Sequence, residues 1–143
     1  MYRKILVPLD GSEMAEKALD HAEKLAETFD AEIILLQVLQ PFYGAPEPMM
    51  PFVFDEKQRK TAERYLMTCA EDLKKRGLKV SWKVKTNLQI AAEIIDFAKE
   101  SGVDLIVMST HGRSGITLWV LGSVAHKVLT YAETPVLLIR SKK

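Results

Sequence analysis

The chain has 143 residues, 48% hydrophobic and 27% charged, with 20 Lys and Arg against 19 Asp and Glu. That length fits one domain able to bury a core, and the near balance of charge excludes the basic field that nucleic acid or an anionic membrane would attract. A single cysteine, Cys69, excludes an internal disulfide framework, and no apolar run approaches the ~18 residues of a membrane span.

Met1-Tyr2-Arg3-Lys4 leads into a short apolar run, Ile5-Leu6-Val7-Pro8-Leu9. Asp10 and Glu13 interrupt it too soon for a signal peptide, so the cytoplasm is the expected location. The run reads as a buried strand, stopped by the turn Asp10-Gly11-Ser12. Ser12 can N-cap a helix with apolar residues at Met14, Ala18, Leu19, Ala22, Leu25, Ala26 and Phe29. Ile33 to Leu39 is a second apolar run and a second buried strand. Residues 41–54 then break regular structure, with Pro41, Pro46, Pro48 and Pro51 among Phe42, Tyr43, Met49, Met50, Phe52 and Phe54. This loop could be a lid over a ligand, a protein-contact patch or plain filler.

From Asp55 the spacing predicts a long helix whose face is Ala62, Tyr65, Leu66, Cys69 and Leu73, with Gly77 as its C-terminal stop. Cys69 there reads as a small core residue rather than a nucleophile. Leu78, Val80, Trp82 and Val84 alternate with Lys79, Ser81, Lys83 and Lys85, a strand with one wet face that suits a sheet edge. Ile90, Ala91, Ile94, Ile95 and Ala98 form a helix ending near Gly102. Leu105 to Met108 is a fourth strand. A loop of small residues follows, and a helix with Val124, Val128 and Leu129 starts at Ser123. Val136-Leu137-Leu138-Ile139 is the last strand. Strands alternating with helices imply a mostly parallel sheet with helices on both faces.

In such sheets ligands sit beyond the carboxyl ends of the strands, where the strand order reverses. Two loops follow strand ends of that kind: Asp10-Gly11-Ser12, and the long one from Ser109 to Gly122. A strand running into small residues and then a helix N-terminus is phosphate-binding geometry. The same glycines, Gly112, Gly115 and Gly122, can equally serve positive φ or close packing. Asp10 can be a turn residue, a ribose acceptor or a second-shell partner of a metal on phosphates. His111 can contact phosphate or stabilise its turn, and His126 reads as a surface residue. The motifs GxGxxG and GxxxxGK[ST] are absent, Gly112-Arg113-Ser114-Gly115 lacks the spacing of G-x-S-x-G, and His21, His111 and His126 are not at metal-ligand spacing. With no evident base, nucleophile or metal cluster, an enzyme with real turnover ranks behind a binding protein. The last strand is apolar at four consecutive positions. At a sheet edge it would need cover, from helices of the same chain or from a symmetric partner, and a homodimer through Val136–Ile139 is the economical solution.

Together these segments resemble the universal stress protein family. The likeness runs from Lys4-Ile5-Leu6-Val7-Pro8-Leu9-Asp10-Gly11-Ser12, through Asp104 to Met108 and Thr110-His111-Gly112-Arg113-Ser114-Gly115. It continues over Leu121-Gly122-Ser123-Val124-Ala125 to Thr134-Pro135-Val136-Leu137-Leu138-Ile139. The resemblance implies one domain over residues 1–143, an open twisted five-stranded parallel sheet of Rossmann-like type in the order 3-2-1-4-5. The ATP-binding branch carries G-x2-G-x9-G-[ST], whose frame falls here on Ser109, Gly112, Gly122 and Ser123, with Ser109 in place of the first glycine. By that frame the cofactor site is Pro8, Asp10, Val38, Met108, Ser109, Gly112, Gly122, Ser123 and Val124. Gly112, Gly122, Ser123 and Val124 would meet phosphates, Asp10 the ribose and phosphates, and Val38 the adenine, with Met108 at its flank. Thr86-Asn87-Leu88-Gln89-Ile90 departs from the family's Gly-x-Pro-Ala stretch at the pocket rim. The implied function is a cytoplasmic, dimeric stress-response protein binding ATP, with Mg²⁺ on the phosphates and at most slow hydrolysis. The alternative is a dimeric interaction module of the same fold that binds no nucleotide.

Overall fold

The computed structural model describes residues 1–41, 56–111 and 121–140. The four apolar runs and the alternating segment of the sequence are the strands: β1 (Lys4–Pro8), β2 (Glu32–Leu39), β3 (Lys79–Thr86), β4 (Leu105–Ser109) and β5 (Val136–Ile139). Between them lie α1 (Glu13–Phe29), α2 (Glu56–Lys75), α3 (Ile90–Glu100) and α4 (Ser123–Tyr131). The strands form one sheet in the order β3-β2-β1-β4-β5, with every neighbouring pair parallel. This is the expected architecture.

Side chains alternate across the pleat, so each central strand feeds two cores. Ile5 and Val7 of β1, Ile33 and Leu35 of β2 and Val107 of β4 pack under α1 and α2. Leu6, Ile34, Leu36, Ile106 and Met108 pack under α3 and α4. Ile5, Leu6 and Val7 are fully enclosed, each worth roughly 1.5–3 kcal/mol of burial.

The stripe that α1 turns to the sheet is Ala15, Ala18, Ala22 and Ala26. This corrects the sequence reading at both ends of the helix. Met14 is only half-buried, and Phe29 swings out to meet Tyr2 edge-to-face at 5.2 Å. Alanine at successive turns brings the helix axis close to the sheet, which leaves no room for larger side chains in the stripe. In α4 the buried pair is Ala125 and Val128, while Leu129 is exposed. In α2 the buried stripe is Ala62, Leu66, Ala70 and Leu73, with Tyr65 and Cys69 packed at its margin. Cys69 thus sits at the rim of the core, and burial followed by the charge of Glu16 pushes its thiol pKa up.

The element ends obey local rules. Ser12 N-caps α1, its Oγ accepting from the Ala15 amide at 3.2 Å. Gly77 takes φ +88°, and its amide closes α2 onto the Lys74 carbonyl at 2.9 Å. Asp104, before β4, accepts from the amides of Arg3 at 2.7 Å and Lys4 at 2.9 Å, pinning the start of β1 to its neighbour. On the edge strand β3, Lys79, Ser81 and Lys83 face water.

Candidate functional site

Because all five strands are parallel, their carboxyl ends lie together, and β1 and β4 are neighbours where the winding reverses. A cavity of about 450 Å³ opens there, within the size range of small-molecule sites. Its floor is Pro8, Leu9 and Asp10 at and after the end of β1, Leu36 to Gln40 at the end of β2, and Met108 to His111 at the end of β4. Ala15, Gln58, Ile90 and Ile94 reach it from α1, α2 and α3, and Gly122 to Ala125 bring the start of α4. Of the expected site residues, Pro8, Asp10, Val38, Met108, Ser109, Gly122, Ser123 and Val124 all line this one cavity. Gly112 lies outside the described residues, as do the candidate lid at 42–54 and Gly115.

Asp10 is held by its own turn. Its Oδ1 accepts from the Ser12 amide at 2.9 Å and from the Ser12 hydroxyl at 2.6 Å. Gly11 between them takes φ +87°, a conformation glycine adopts without strain. The same Ser12 hydroxyl caps α1, so one short turn fixes both the helix start and the carboxylate orientation.

On the other wall Thr110 is the anchor. Its amide donates to the Ile139 carbonyl at 2.9 Å, and its carbonyl accepts from the Gly122 amide at 2.9 Å. Its hydroxyl lies 3.2 Å from Nδ1 of His111, a residue only 5% exposed. His111 thus braces its turn, one of the two roles the sequence left open, and it also lines the cavity. His126 is exposed on α4.

Gly122 is the N-cap of α4, so the first-turn amides receive no side-chain cap. A Cβ on Gly122 would sit 2.8 Å from the Thr110 carbonyl oxygen and 3.5 Å from the His111 Cα. Close packing alone therefore demands glycine. The amides of Ser123 and Val124 follow at the positive end of the helix dipole, beside the cavity. Among the described lining residues there is no Lys or Arg, and Asp10 is the one carboxylate. An anion here would depend on backbone N–H groups, which is what a helix start supplies. Among the described residues no group of three or more His, Cys, Asp and Glu gathers as a metal site, and no helix is long and apolar enough to cross a membrane.

Sequence reasoning did not find Gln37, Gln58 or Ile94 in the lining. For Gln37 a signal existed: it is the lone polar residue inside the run Ile33–Leu39. Of the rim segment Thr86–Ile90, Ile90 reaches the cavity. Asn87 instead fastens the chain before α3, its Oδ1 accepting from the Gln89 amide at 2.9 Å.

The fold and the crevice define an open, doubly wound α/β protein with its cavity at the switch point. Residues 1–140 match the model of the universal stress protein family, and the chain belongs to that family. Universal stress protein MJ0531 of Methanocaldococcus jannaschii is 33% identical, over all of this chain and 85% of its own length. The solved structure of hypothetical protein MJ0577 superposes with a TM-score of 0.83 at 28% identity, covering 100% of this chain and 99% of the other. The universal stress protein of Archaeoglobus fulgidus, solved in complex with dAMP, shares the fold with a TM-score of 0.73 at 23% identity, covering 96% and 98% of the two chains.

Proposed function

We propose that this protein binds a nucleotide, ATP with Mg²⁺ on its phosphates, in the cavity at the carboxyl ends of β1, β2 and β4. The carrying observation is the convergence on that one cavity of an uncapped helix start, a braced carboxylate and an apolar wall. The amides of Ser123 and Val124, with the Ser123 hydroxyl, suit the phosphates. Asp10 suits the ribose and the phosphate end, and Val38 and Met108 suit the base. Gly112 belongs to the phosphate set by the sequence frame. Ser109 is buried at 6% exposure and ends β4 in register with Ile139, so the serine replaces the frame's glycine within a regular strand. The donor set fits a magnesium nucleotide in which the metal is held by the phosphates. Bound, the ion would neutralise phosphate charge that no described lysine or arginine meets.

The role that follows is regulatory, read out by occupancy, in the cytoplasm. The protein acts as a homodimer joined along β5. Leu137 on that edge strand is 37% exposed, with Leu129 and Tyr131 of α4 exposed nearby in sequence, an apolar edge that a second copy would cover.

Thermal denaturation with Mg-ATP tests the binding reading. At about a hundredfold excess over Kd the free energy of unfolding rises by about 2.7 kcal/mol. An unchanged melting temperature at millimolar Mg-ATP, in protein whose denatured supernatant holds no nucleotide, overturns it in favour of a nucleotide-free interaction module.

A further inference from the structure

Gln37 is the lone polar residue within the run Ile33–Leu39 of β2, and its carboxamide oxygen finds no partner among the described residues. Its side chain shares the α1 and α2 face of β2 with Leu35 and Leu39. Its neighbour in register on β3 is Val84, 5% exposed, and Leu9, just after β1, is 4% exposed. Gln37 itself is 7% exposed and lines the cavity, and its Oε1 is enclosed without a hydrogen-bond partner among the described residues. The Leu9 amide is already given to the Leu36 carbonyl at 2.8 Å. Buried carboxamide oxygens are nearly always satisfied, and an unsatisfied one on a side chain that lines a cavity marks the place of a missing donor.

The cavity straddles the carboxyl edge of the sheet. Towards α3 and α4 its wall is apolar, with Val38, Ile90 and Met108. Towards α1 and α2 it carries Gln37 among Leu9, Ala15 and Leu39. A neutral carboxamide among apolar groups brings no charge to meet a phosphate, and its unpaired oxygen favours a ligand N–H or O–H.

We propose that Gln37 selects the ligand of this cavity, its Oε1 accepting a hydrogen bond from the base or sugar of the bound nucleotide. The proposal rests on the nucleotide reading above. Two donors share that chemistry, the exocyclic amine of adenine and a ribose hydroxyl.

Calorimetric titration of wild type and Gln37→Met with Mg-ATP, Mg-ITP and Mg-2′-deoxy-ATP tests it, alongside the melting temperature of each ligand-free protein. Methionine keeps the unbranched length and removes the acceptor. Wild type is expected to prefer ATP over one analogue, ITP if the amine is the donor and the deoxynucleotide if the 2′-hydroxyl is. In the variant, ATP binding falls by roughly tenfold and that preference disappears. The ligand-free variant melts no lower than wild type, because a buried unpaired acceptor has gone. Equal affinities of both proteins for all three nucleotides overturn the assignment. So does a marked fall in the variant's own melting temperature, or failure to fold, which would mean that the carboxamide serves the fold. Should wild type bind none of the three, the nucleotide reading falls and this assignment with it.

Discussion

Gly122→Ala separates two reasons for a glycine at the head of α4. The added Cβ would lie 2.8 Å from the Thr110 carbonyl oxygen. That oxygen already accepts the Gly122 amide at 2.9 Å, and Thr110 is tied in turn to Ile139, so the loop has little freedom to withdraw. An overpacked contact against constrained backbone costs about 1–3 kcal/mol. A chain of 143 residues has an unfolding entropy near 0.3 kcal/mol per kelvin, so the melting temperature should fall by roughly 3–10 °C. Differential scanning calorimetry without ligand is the assay. A ligand-free variant that melts with wild type, while Mg-ATP binding is lost, would refute the packing argument and give the glycine to the ligand alone. Gly122→Val, bulkier still at the same contact, is expected to lose more stability than the alanine variant.

Ser123→Pro probes the phosphate end without that clash. Proline suits the first helical position, and Gly122 at φ −57°, ψ 149° already has the extended backbone that precedes a proline. Stability should hold while Mg-ATP affinity drops about tenfold or more for the lost donors; unchanged affinity in a titration would remove Ser123 from the site. Hydrogen bonds from the amides of Lys4 and then Arg3 hold the Asp104 carboxyl below the usual carboxylate range. Its folded value lies below its unfolded one, so its stabilisation is present above about pH 4 and fades as pH falls through the folded value. Asp104→Asn should therefore melt below wild type at pH 7, by about 1 kcal/mol for partly solvated bonds, and the two should converge in acid; a gap that persists at pH 2 argues against the charge. Leu137→Lys puts a charge on the β5 edge, and sedimentation should show wild type as a dimer and the variant as a monomer. A variant dimer of wild-type strength would exclude that edge.

The sheet was legible because its strands are short apolar runs with nothing else to bury them, and the helices because their polar faces keep a clean period. The cavity was legible as far as Asp10 to Ser12 and the described ends of the second loop, Ser109 to His111 and Leu121 to Ser123, which lie where strand ends must lie. What stayed hidden depends on distances between elements. Ala15 rather than Met14 faces the sheet because alanine sets the approach of α1. Phe29 leaves its stripe for Tyr2, a partner 27 positions away in the sequence and so invisible to periodicity. Gly122 was readable as special, but its reason, a carbonyl at 2.8 Å, needed the turn to be built. Gln37 was visible as an anomaly within its strand, and only the topology put it beside a cavity.

The central pairing of β1 with β4 joins Lys4 to the neighbourhood of Asp104, groups 100 residues apart in the chain. Closing so long a loop is entropically late, whereas β1 and β2 meet across α1 alone. The cavity draws one wall from each half, so the pairing of β1 with β4 is what completes it. Anything that occupies it and touches both walls clamps the seam between β1 and β4, and protection of the β4 amides from hydrogen exchange would report the occupant directly.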